Sequence, residues 1–220
     1  MSLRGSPAYG VVVPVKPLAV AKSRLGSLGD VVRRDLMLAF VVDTVTAAVD
    51  CAVVARVLVV TDEVDLARGL ADLGVVAIPD GCSGDLNASL VQGAAELVRV
   101  APTLRPVALC ADLPALRPEE LGAVLEQSEE QPVSFLPDAV GTGTTLYTAE
   151  DLSTFAPRFG PSSREAHRAA GATELDGATA PSVRQDVDTP DDLQAALALG
   201  VGPRTSWVVR FSGLGPGGST

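Results

Sequence analysis

The sequence predicts an α/β fold with a mostly parallel sheet, because short runs of β-branched residues alternate with longer segments of helical periodicity. The run at 10–15, Gly-Val-Val-Val-Pro-Val, is typical of a buried strand whose end is marked by Pro14. The run at 106–111 is apolar at every position, as expected for a strand covered on both faces. Strands and helices that alternate at this spacing form βαβ units with right-handed crossovers.

The first half of the chain continues this alternation. Apolar residues at helical spacing follow the first strand, and Gly74 ends the second helix. The other strands of this half are predicted at 56–61 and 75–78. The helices are predicted at 30–49, 63–73, 85–100 and 118–129.

The second half has shorter elements. Strands are predicted at 133–136, 144–147 and 183–187, and helices at 162–170 and 190–199. The last helix opens with Thr-Pro-Asp-Asp, which supplies an N-cap, a proline at the first position and acids in the first turn. We expect one domain over residues 1–205 and a C-terminal tail over 206–220 whose Gly-rich end is disordered.

Composition and charge exclude several classes of protein. The 220 residues carry a formal net charge of -10, which argues against a nucleic-acid groove. Cys51, Cys82 and Cys110 form no CxxC pair, so we expect neither a disulfide framework nor a zinc site. No apolar run reaches the ~18 residues of a membrane span, and the expected location is the cytoplasm.

Three aspartates are candidate metal ligands. Asp186 and Asp188 lie on one face of the predicted strand with Cα atoms ~6.5 Å apart. Two carboxylates this close repel each other unless a cation lies between them, which favours a metal site. The alternative is that both side chains are simply solvated at the end of the strand. Asp112 follows the apolar strand at the carboxyl edge of the sheet, where open α/β folds bind ligands, or it caps a turn. Three converging carboxylates favour Mg²⁺, a hard cation that prefers oxygen ligands.

A basic segment follows the first strand. Lys16, Lys22 and Arg24 lie within nine residues of an otherwise acidic chain and could clamp a triphosphate; the alternative is a solvated basic loop. The segment has neither the P-loop pattern nor the G-x-G-x-x-G pattern, so neither of those sites is predicted.

Two loops rich in Gly, Ser and Thr are candidate anion sites. The loops at 141–145 and 159–163 have backbone N–H groups that we expect to be free, and the second precedes a predicted helix whose N-terminus can bind a phosphate. Ordinary turns are the alternative for each. His167, the one histidine, is interpreted as a surface or packing residue rather than a catalytic base.

Six segments in a fixed order carry a resemblance to a known family. They are PVKPLAVAKSRL (14–25), DLNASL (85–90), ADLPAL (111–116), GTGTTL (141–146), RFGPSSREAH (158–167) and RQDVDTPDDL (184–193). Together they resemble the guanylyltransferases of coenzyme F420 biosynthesis, which join GTP to 2-phospho-L-lactate or phosphoenolpyruvate. The resemblance implies a Rossmann-like nucleotidyltransferase fold, a three-layer sandwich similar to that of the nucleotide-diphospho-sugar transferases.

The resemblance also implies roles for particular residues. The positions matching the family's Mg²⁺ ligands are Asp112, Asp186 and Asp188. The positions matching its phosphoenolpyruvate-binding residues are Thr144, Gly160 and Ser163. The positions matching its nucleotide-binding residues are Lys16 and Lys22, to which a catalytic role is also assigned, and Asn87. Ala111 departs from the glycine expected before the metal aspartate, which is a change of one methyl group.

The implied reaction needs cations more than it needs a nucleophile on the protein. The phosphate of a three-carbon acid attacks the α-phosphorus of GTP and expels pyrophosphate, so Mg²⁺ and the basic loop must neutralise two polyanions. Phosphoenolpyruvate is the expected acid because the motifs are most similar to the actinobacterial branch; 2-phospho-L-lactate and 3-phosphoglycerate remain alternatives. A downstream transferase of the same pathway would receive the product.

Two other functions fit parts of the sequence. One is a different nucleotidyltransferase of this fold, such as one that makes molybdopterin guanine dinucleotide, but those open with a Gly-rich LAGGxSxRMG-like loop that this chain lacks. The other is an inactive nucleotide-sensing domain. The presence of the three aspartates and both lysines argues against that second alternative.

Overall fold

The computed structural model describes residues 9–16, 29–82, 84–212 and 214. Its strands are β1 (Tyr9–Val15), β2 (Val54–Thr61), β3 (Val76–Ile78), β4 (Arg105–Leu109), β5 (Val133–Pro137), β6 (Thr144–Ala149) and β7 (Thr173–Glu174). Its helices are α1 (Asp30–Asp50), α2 (Val64–Ala71), α3 (Leu86–Val100), α4 (Pro118–Gln127), α5 (Ser163–Ala169), α6 (Pro181–Arg184), α7 (Pro190–Leu199) and α8 (Pro203–Phe211).

The described strands form one sheet in the order β3-β2-β1-β4-β6-β5-β7. Every neighbouring pair is parallel except the two pairs that contain β6. Val12 in the centre of β1 pairs with Leu58 on one side and Ala108 on the other. The predicted mostly parallel sheet is therefore confirmed, and β6 is its one antiparallel member among the described strands.

Helices cover both faces of the sheet, because the side chains of β1 alternate between two cores. Val11 and Val13 are buried on the face that α1, α2 and α4 cover, while Val12 is buried on the face that α3 covers. A buried valine contributes roughly 1.5–3 kcal/mol of burial free energy. The chain therefore folds as the three-layer sandwich that was expected.

Close packing of α3 on the sheet depends on Gly93. A Cβ atom at this position would lie 2.5 Å from Val12 Cγ1 and 2.9 Å from Val60 Cγ2, closer than carbon atoms can approach. The glycine thus lets the α3 backbone lie directly over β1 and β2, and this holds the first turn of α3 near the carboxyl edge of the sheet.

One predicted strand is wrong. Residues 183–187 end the short helix α6 and continue as a loop. Pro181 begins α6 at a first-turn position, where proline is favoured because it has no N–H to leave unpaired. Val183 and Val187 are buried in different cores, so they do not share a face as strand residues two or four apart would.

The C-terminal helix α8 spans the boundary expected at residue 205. Val208 and Val209 pack in the same core as Phe40 of α1. The carboxylate of Asp43 in α1 accepts the backbone N–H groups of Arg204 and Thr205, at 3.1 and 2.8 Å. These contacts join the start of the expected tail to the domain, and the expected disorder at 215–220 lies outside the described residues. Within the described residues, no helix is long and apolar enough to cross a membrane.

Candidate nucleotide and metal site

Three aspartates meet at the carboxyl edge of the sheet. Asp112 lies in the loop after β4, and Asp186 and Asp188 lie in the loop between α6 and α7. One carboxylate oxygen from each lies within 4.8 Å of the others. The two loops are joined by the Val187 N–H, which donates to the carbonyl oxygen of Asp112 at 3.1 Å. The predicted convergence is therefore present, although a loop rather than a strand brings it about.

The loop that carries Asp186 and Asp188 is held from both ends. Val187 is completely buried between the two acids, so its neighbours turn toward the edge of the sheet. On the other side, the predicted cap of α7 is confirmed. Thr189 and Asp192 form a reciprocal capping box, and Asp192 also accepts the N–H of Asp188 at 3.1 Å.

The three carboxylates can act together on a cation. Asp112 and Asp186 are half-buried and Asp188 is exposed, so the group is open to solvent on one side. Carboxylate oxygens packed this closely repel one another unless positive charge lies between them. Three hard oxygen donors with an open side suit a divalent cation that also contacts a phosphate.

Lys16 lies at the end of β1 and is held by a polar network. Its Nζ donates to Asp80 Oδ2 at 3.0 Å and to Ser89 Oγ at 3.1 Å. Ser89 in turn donates to Asp80 Oδ1 at 2.7 Å. Lys22 and Arg24, the other two cations of the predicted basic loop, lie outside the described residues.

The charge of Asp80 is stabilised by this network. Burial opposes its ionised form, but hydrogen bonds from Ser89 and Lys16 outweigh burial and hold the pKa of Asp80 below its ordinary value. Sequence reasoning missed this residue. The signal was available, since Asp80 follows a predicted parallel strand and so lies at the same edge of the sheet as Asp112.

A cleft connects Lys16 with the acidic cluster. Its walls come from the ends of β1 and β4, from α1 and α3, and from Phe159. Lys16 and Asp112 both line it. The chain leaves β1 toward β2 on one side while β4 pairs on the other, and such a switch point is where open α/β sheets bind ligands.

Asn87, predicted to contact the nucleotide, makes a different contact here. Its Oδ1 accepts the N–H of Phe159 at 2.7 Å, and its Nδ2 donates to the carbonyl oxygen of Phe159 at 3.0 Å. This pair of bonds joins the first turn of α3 to the loop at 159–163. Asn87 therefore positions a wall of the cleft in this structure.

The loop at 141–145 does not offer the free N–H groups that were expected. The carboxylate of Asp138 accepts the N–H groups of Gly141, Thr142 and Gly143, at 2.6, 2.9 and 2.8 Å. That expectation is wrong because a buried carboxylate already occupies the loop from within. An aspartate shortly before a Gly-rich turn is a signal for such side-chain bonding.

Thr144 and His167 form a buried pair beneath this loop. Thr144 Oγ1 and His167 Nδ1 lie 3.0 Å apart, and the Arg158 N–H donates to His167 Nε2 at 2.8 Å. Burial lowers the pKa of His167 to about 4 against a hydrogen bond with the Ser163 backbone that raises it, and the charge of Arg158 acts in the same direction as burial. His167 is completely buried, so of the two predicted alternatives the packing residue is confirmed and the surface residue is wrong.

Gly160 and Ser163 lie at the turn that begins α5. Gly160 has φ 136° and Ser162 has φ 56°, both in the range that favours glycine. The Ser163 N–H donates to the carbonyl oxygen of Gly160 at 3.2 Å. Ser163 is 2% exposed, so its side chain is almost completely buried.

Comparisons with known proteins agree with this arrangement. A family model described as guanylyl transferase CofC like matches residues 9–210. A phosphoenolpyruvate guanylyltransferase of Streptomyces coelicolor is 55% identical over 202 residues, covering 91% of this chain and 95% of that protein. One from Thermomonospora curvata is 47% identical over 213 residues, covering 96% and 93%. A solved nucleotidyl transferase from Methanothermobacter has a TM-score of 0.63 at 21% identity, covering 87% of this chain and 97% of that one, and this likeness confirms the nucleotidyltransferase fold.

Proposed function

The chain belongs to the CofC-like guanylyl transferase family, and on that basis we propose that it joins GTP to phosphoenolpyruvate, forming enolpyruvyl-2-diphospho-5'-guanosine and pyrophosphate. Membership makes it a nucleotidyltransferase. The proposed product belongs to coenzyme F420 biosynthesis, where a downstream transferase would take it up. The observation that carries the proposal is the relative named for this activity, which matches over nearly the whole chain.

In the proposed reaction, a phosphate oxygen of phosphoenolpyruvate attacks the α-phosphorus of GTP. A new P–O bond forms, the bond between the α-phosphorus and the bridging oxygen breaks, and the electron pair leaves with pyrophosphate. The attacking phosphate is already ionised, so no side chain has to remove a proton. The protein's task is to bring two polyanions together, which requires positive charge at both.

The acidic cluster fits a divalent cation, which we propose is Mg²⁺. Asp112, Asp186 and Asp188 would hold it, since all three offer oxygen ligands within a few ångströms of one another. When bound, Mg²⁺ neutralises phosphate charge and stabilises the leaving pyrophosphate.

Lys16, which lines the same cleft as Asp112, is proposed to contact the phosphates of GTP. Its bonds to Asp80 and Ser89 support this role because they fix an ammonium group at the end of β1. Lys22 and Arg24 are proposed to add to the same positive charge. Loss of a preorganised group of this kind costs about 10²–10³-fold in kcat.

Phosphoenolpyruvate is proposed to bind at Thr144, Gly160 and Ser163. These residues lie in the loops at 141–145 and 159–163. Arg164 joins the two loops, because it directly follows Ser163 and its backbone N–H donates to the Thr142 carbonyl at 3.2 Å. In this proposal the hydroxyl groups of Thr144 and Ser163 bind one small anion.

Pyrophosphate release measures this function directly. The protein is incubated with GTP, Mg²⁺ and, separately, phosphoenolpyruvate, 2-phospho-L-lactate or 3-phosphoglycerate. We expect release with phosphoenolpyruvate, abolished by EDTA and restored by excess Mg²⁺. Release with 2-phospho-L-lactate or 3-phosphoglycerate alone would assign a different acid, and no release with any acid while GTP binds would contradict a transferase.

Two matched variants test the acidic cluster. Asp188→Ala removes a cluster carboxylate, whereas Asp191→Ala removes another exposed carboxylate, which lies in the first turn of α7 outside the cluster. We expect Asp188→Ala to lower kcat/KM by at least about 100-fold with little change in Tm, and Asp191→Ala to keep most activity. Equal activity of the two variants would remove Asp188 from the metal site.

A further inference from the structure

His167 lies in an aromatic cage next to the proposed acid-binding residues. Its ring stacks on Phe135 and Tyr147, with centroids 5.3 and 4.9 Å away, and meets the edge of Phe159 at 5.6 Å. The residue is completely buried. The ring therefore has a fixed orientation: Nδ1 lies near Thr144 Oγ1, Nε2 lies near the Arg158 N–H, and the Ser163 backbone also hydrogen-bonds to the ring.

The partner of Nε2 determines where the ring proton lies. A backbone N–H can only donate, and that of Arg158 points at Nε2 from 2.8 Å. Nε2 must then carry a lone pair, so the neutral ring bears its proton on Nδ1. The ring is kept neutral at ordinary pH by the burial described above.

The partner of Nδ1 is then an acceptor. The Nδ1–H group therefore points toward acceptors, which are Thr144 Oγ1 at 3.0 Å and the backbone of Ser163. A hydroxyl group that accepts from the ring cannot also direct its own hydrogen at that nitrogen. The hydrogen of Thr144 is therefore turned away from His167.

From this geometry we propose that His167 is a positioning residue that keeps the Thr144 hydroxyl as a hydrogen-bond donor to the anionic acid substrate. The inference rests on the proposed function, in which Thr144 binds phosphoenolpyruvate. With the opposite tautomer, Nδ1 would take the threonine hydrogen and the hydroxyl would present lone pairs to an anion. The Arg158 N–H prevents that outcome by occupying Nε2.

A chain of hydrogen bonds holds this arrangement together across distant parts of the sequence. Asn87 in α3 binds both backbone groups of Phe159, the residue directly after Arg158. The Arg158 N–H fixes the tautomer of His167 in α5, and His167 orients Thr144 in β6. Asn87 is therefore connected to Thr144 through the backbone of Phe159 and the ring of His167.

The tautomer is measured on the unaltered protein. His167 is the only histidine in the sequence, so a long-range ¹H–¹⁵N correlation spectrum at pH 7.5 shows one imidazole with no assignment problem. We expect Nδ1 to resonate as a protonated nitrogen and Nε2 as an unprotonated one. The reverse pattern, or two protonated nitrogens, would overturn the inference.

Two variants separate the donor at Nδ1 from the acceptor at Nε2. His167→Asn keeps the donor, because its amide can place an N–H near the position of Nδ1. His167→Gln keeps only the acceptor, because its amide can place an oxygen near the position of Nε2. We expect His167→Gln to raise the KM for phosphoenolpyruvate roughly 10- to 100-fold, the worth of one hydrogen bond to a charged group, and to leave the KM for GTP unchanged. His167→Asn should recover most of that loss. An unchanged KM for phosphoenolpyruvate in His167→Gln, or equal rises in both KM values, would contradict the inference.

A second pair of variants does not touch the aromatic cage. Thr144→Val removes the hydroxyl and Thr144→Ser retains it. We expect only Thr144→Val to raise the KM for phosphoenolpyruvate by the same factor as His167→Gln. Equal KM values for Val and Ser would show that the hydroxyl does not donate to the substrate.

Failure of the inference can be told apart from failure of the proposed function. An enzyme that is active with phosphoenolpyruvate but carries its histidine proton on Nε2 contradicts the inference alone. A protein that binds GTP and releases pyrophosphate with no acid contradicts the function, whatever the histidine spectrum shows.

Discussion

Lowering the pH from 7 to 5 should destabilise the fold through His167. Burial lowers the pKa of this residue from 6.5 to about 4, so the unfolded chain binds a proton at a higher pH than the folded chain does. A group of this kind leaves stability intact above pH 6.5 and reduces it as the pH falls toward 4. Stability therefore decreases as the solution is acidified across this window.

The magnitude follows from the two pKa values. Between pH 7 and pH 5 the free energy of unfolding should fall by about 2 kcal/mol, because the unfolded state gains most of one proton that the folded state does not. The pKa values of Asp80 and Glu174 are also lowered, but from 3.8 and 4.5, so their stabilising contributions are lost mainly below pH 5.

Urea unfolding at pH 7, 6 and 5 measures this slope, with His167→Phe as the control. Phe keeps the ring stacking but leaves the Arg158 N–H without its acceptor, which costs about 1–3 kcal/mol at every pH. The variant should be less stable at pH 7 and should lack the decline toward pH 5. A wild-type protein whose stability is flat from pH 7 to pH 5, or a variant with the same slope, would refute the reasoning.

Two further changes test the packing and the polar network. Asp80→Asn weakens the bond that holds Lys16, so we expect a higher KM for GTP with an unchanged KM for phosphoenolpyruvate. Steady-state kinetics with each substrate varied in turn measures both constants. An unchanged KM for GTP would show that other groups hold Lys16. Gly93→Ala forces a methyl group against Val12 and should lower the free energy of unfolding by about 1–3 kcal/mol, measured by urea titration. Gly69 is a helical glycine with open space around it, so Gly69→Ala should instead raise the free energy of unfolding by about 0.4–1 kcal/mol. Equal effects of the two glycine changes would contradict the packing argument.

Elements whose signals are local were predictable from the sequence. β1 and β4 have continuous apolar runs because both of their faces are buried, and α7 carries its whole cap in four consecutive residues. The strand expected at 183–187 is the exception. Its few apolar residues fit a turn of helix as well as a strand, and only packing against two different cores decided between them.

The site was predictable in its residue types but not in its hydrogen bonds. The sequence by itself indicated that Asp112 would reach the carboxyl edge of the sheet, because a parallel strand must end there. Asp186 and Asp188 lie in a loop that the buried side chain of Val187 anchors in the core, and no local sequence pattern predicts that placement.

Hydrogen bonds between residues distant in sequence account for what only the tertiary structure decided. Asp138 accepts hydrogen bonds from the loop at 141–145, whose N–H groups were expected to be free for an anion. Asn87 binds the backbone of Phe159, 72 residues away. Whether a polar group is free or already paired depends on which distant group folding places within about 3 Å of it. The sequence determined which chemistry the carboxyl edge could hold, and the tertiary structure decided which polar groups are occupied by the protein itself.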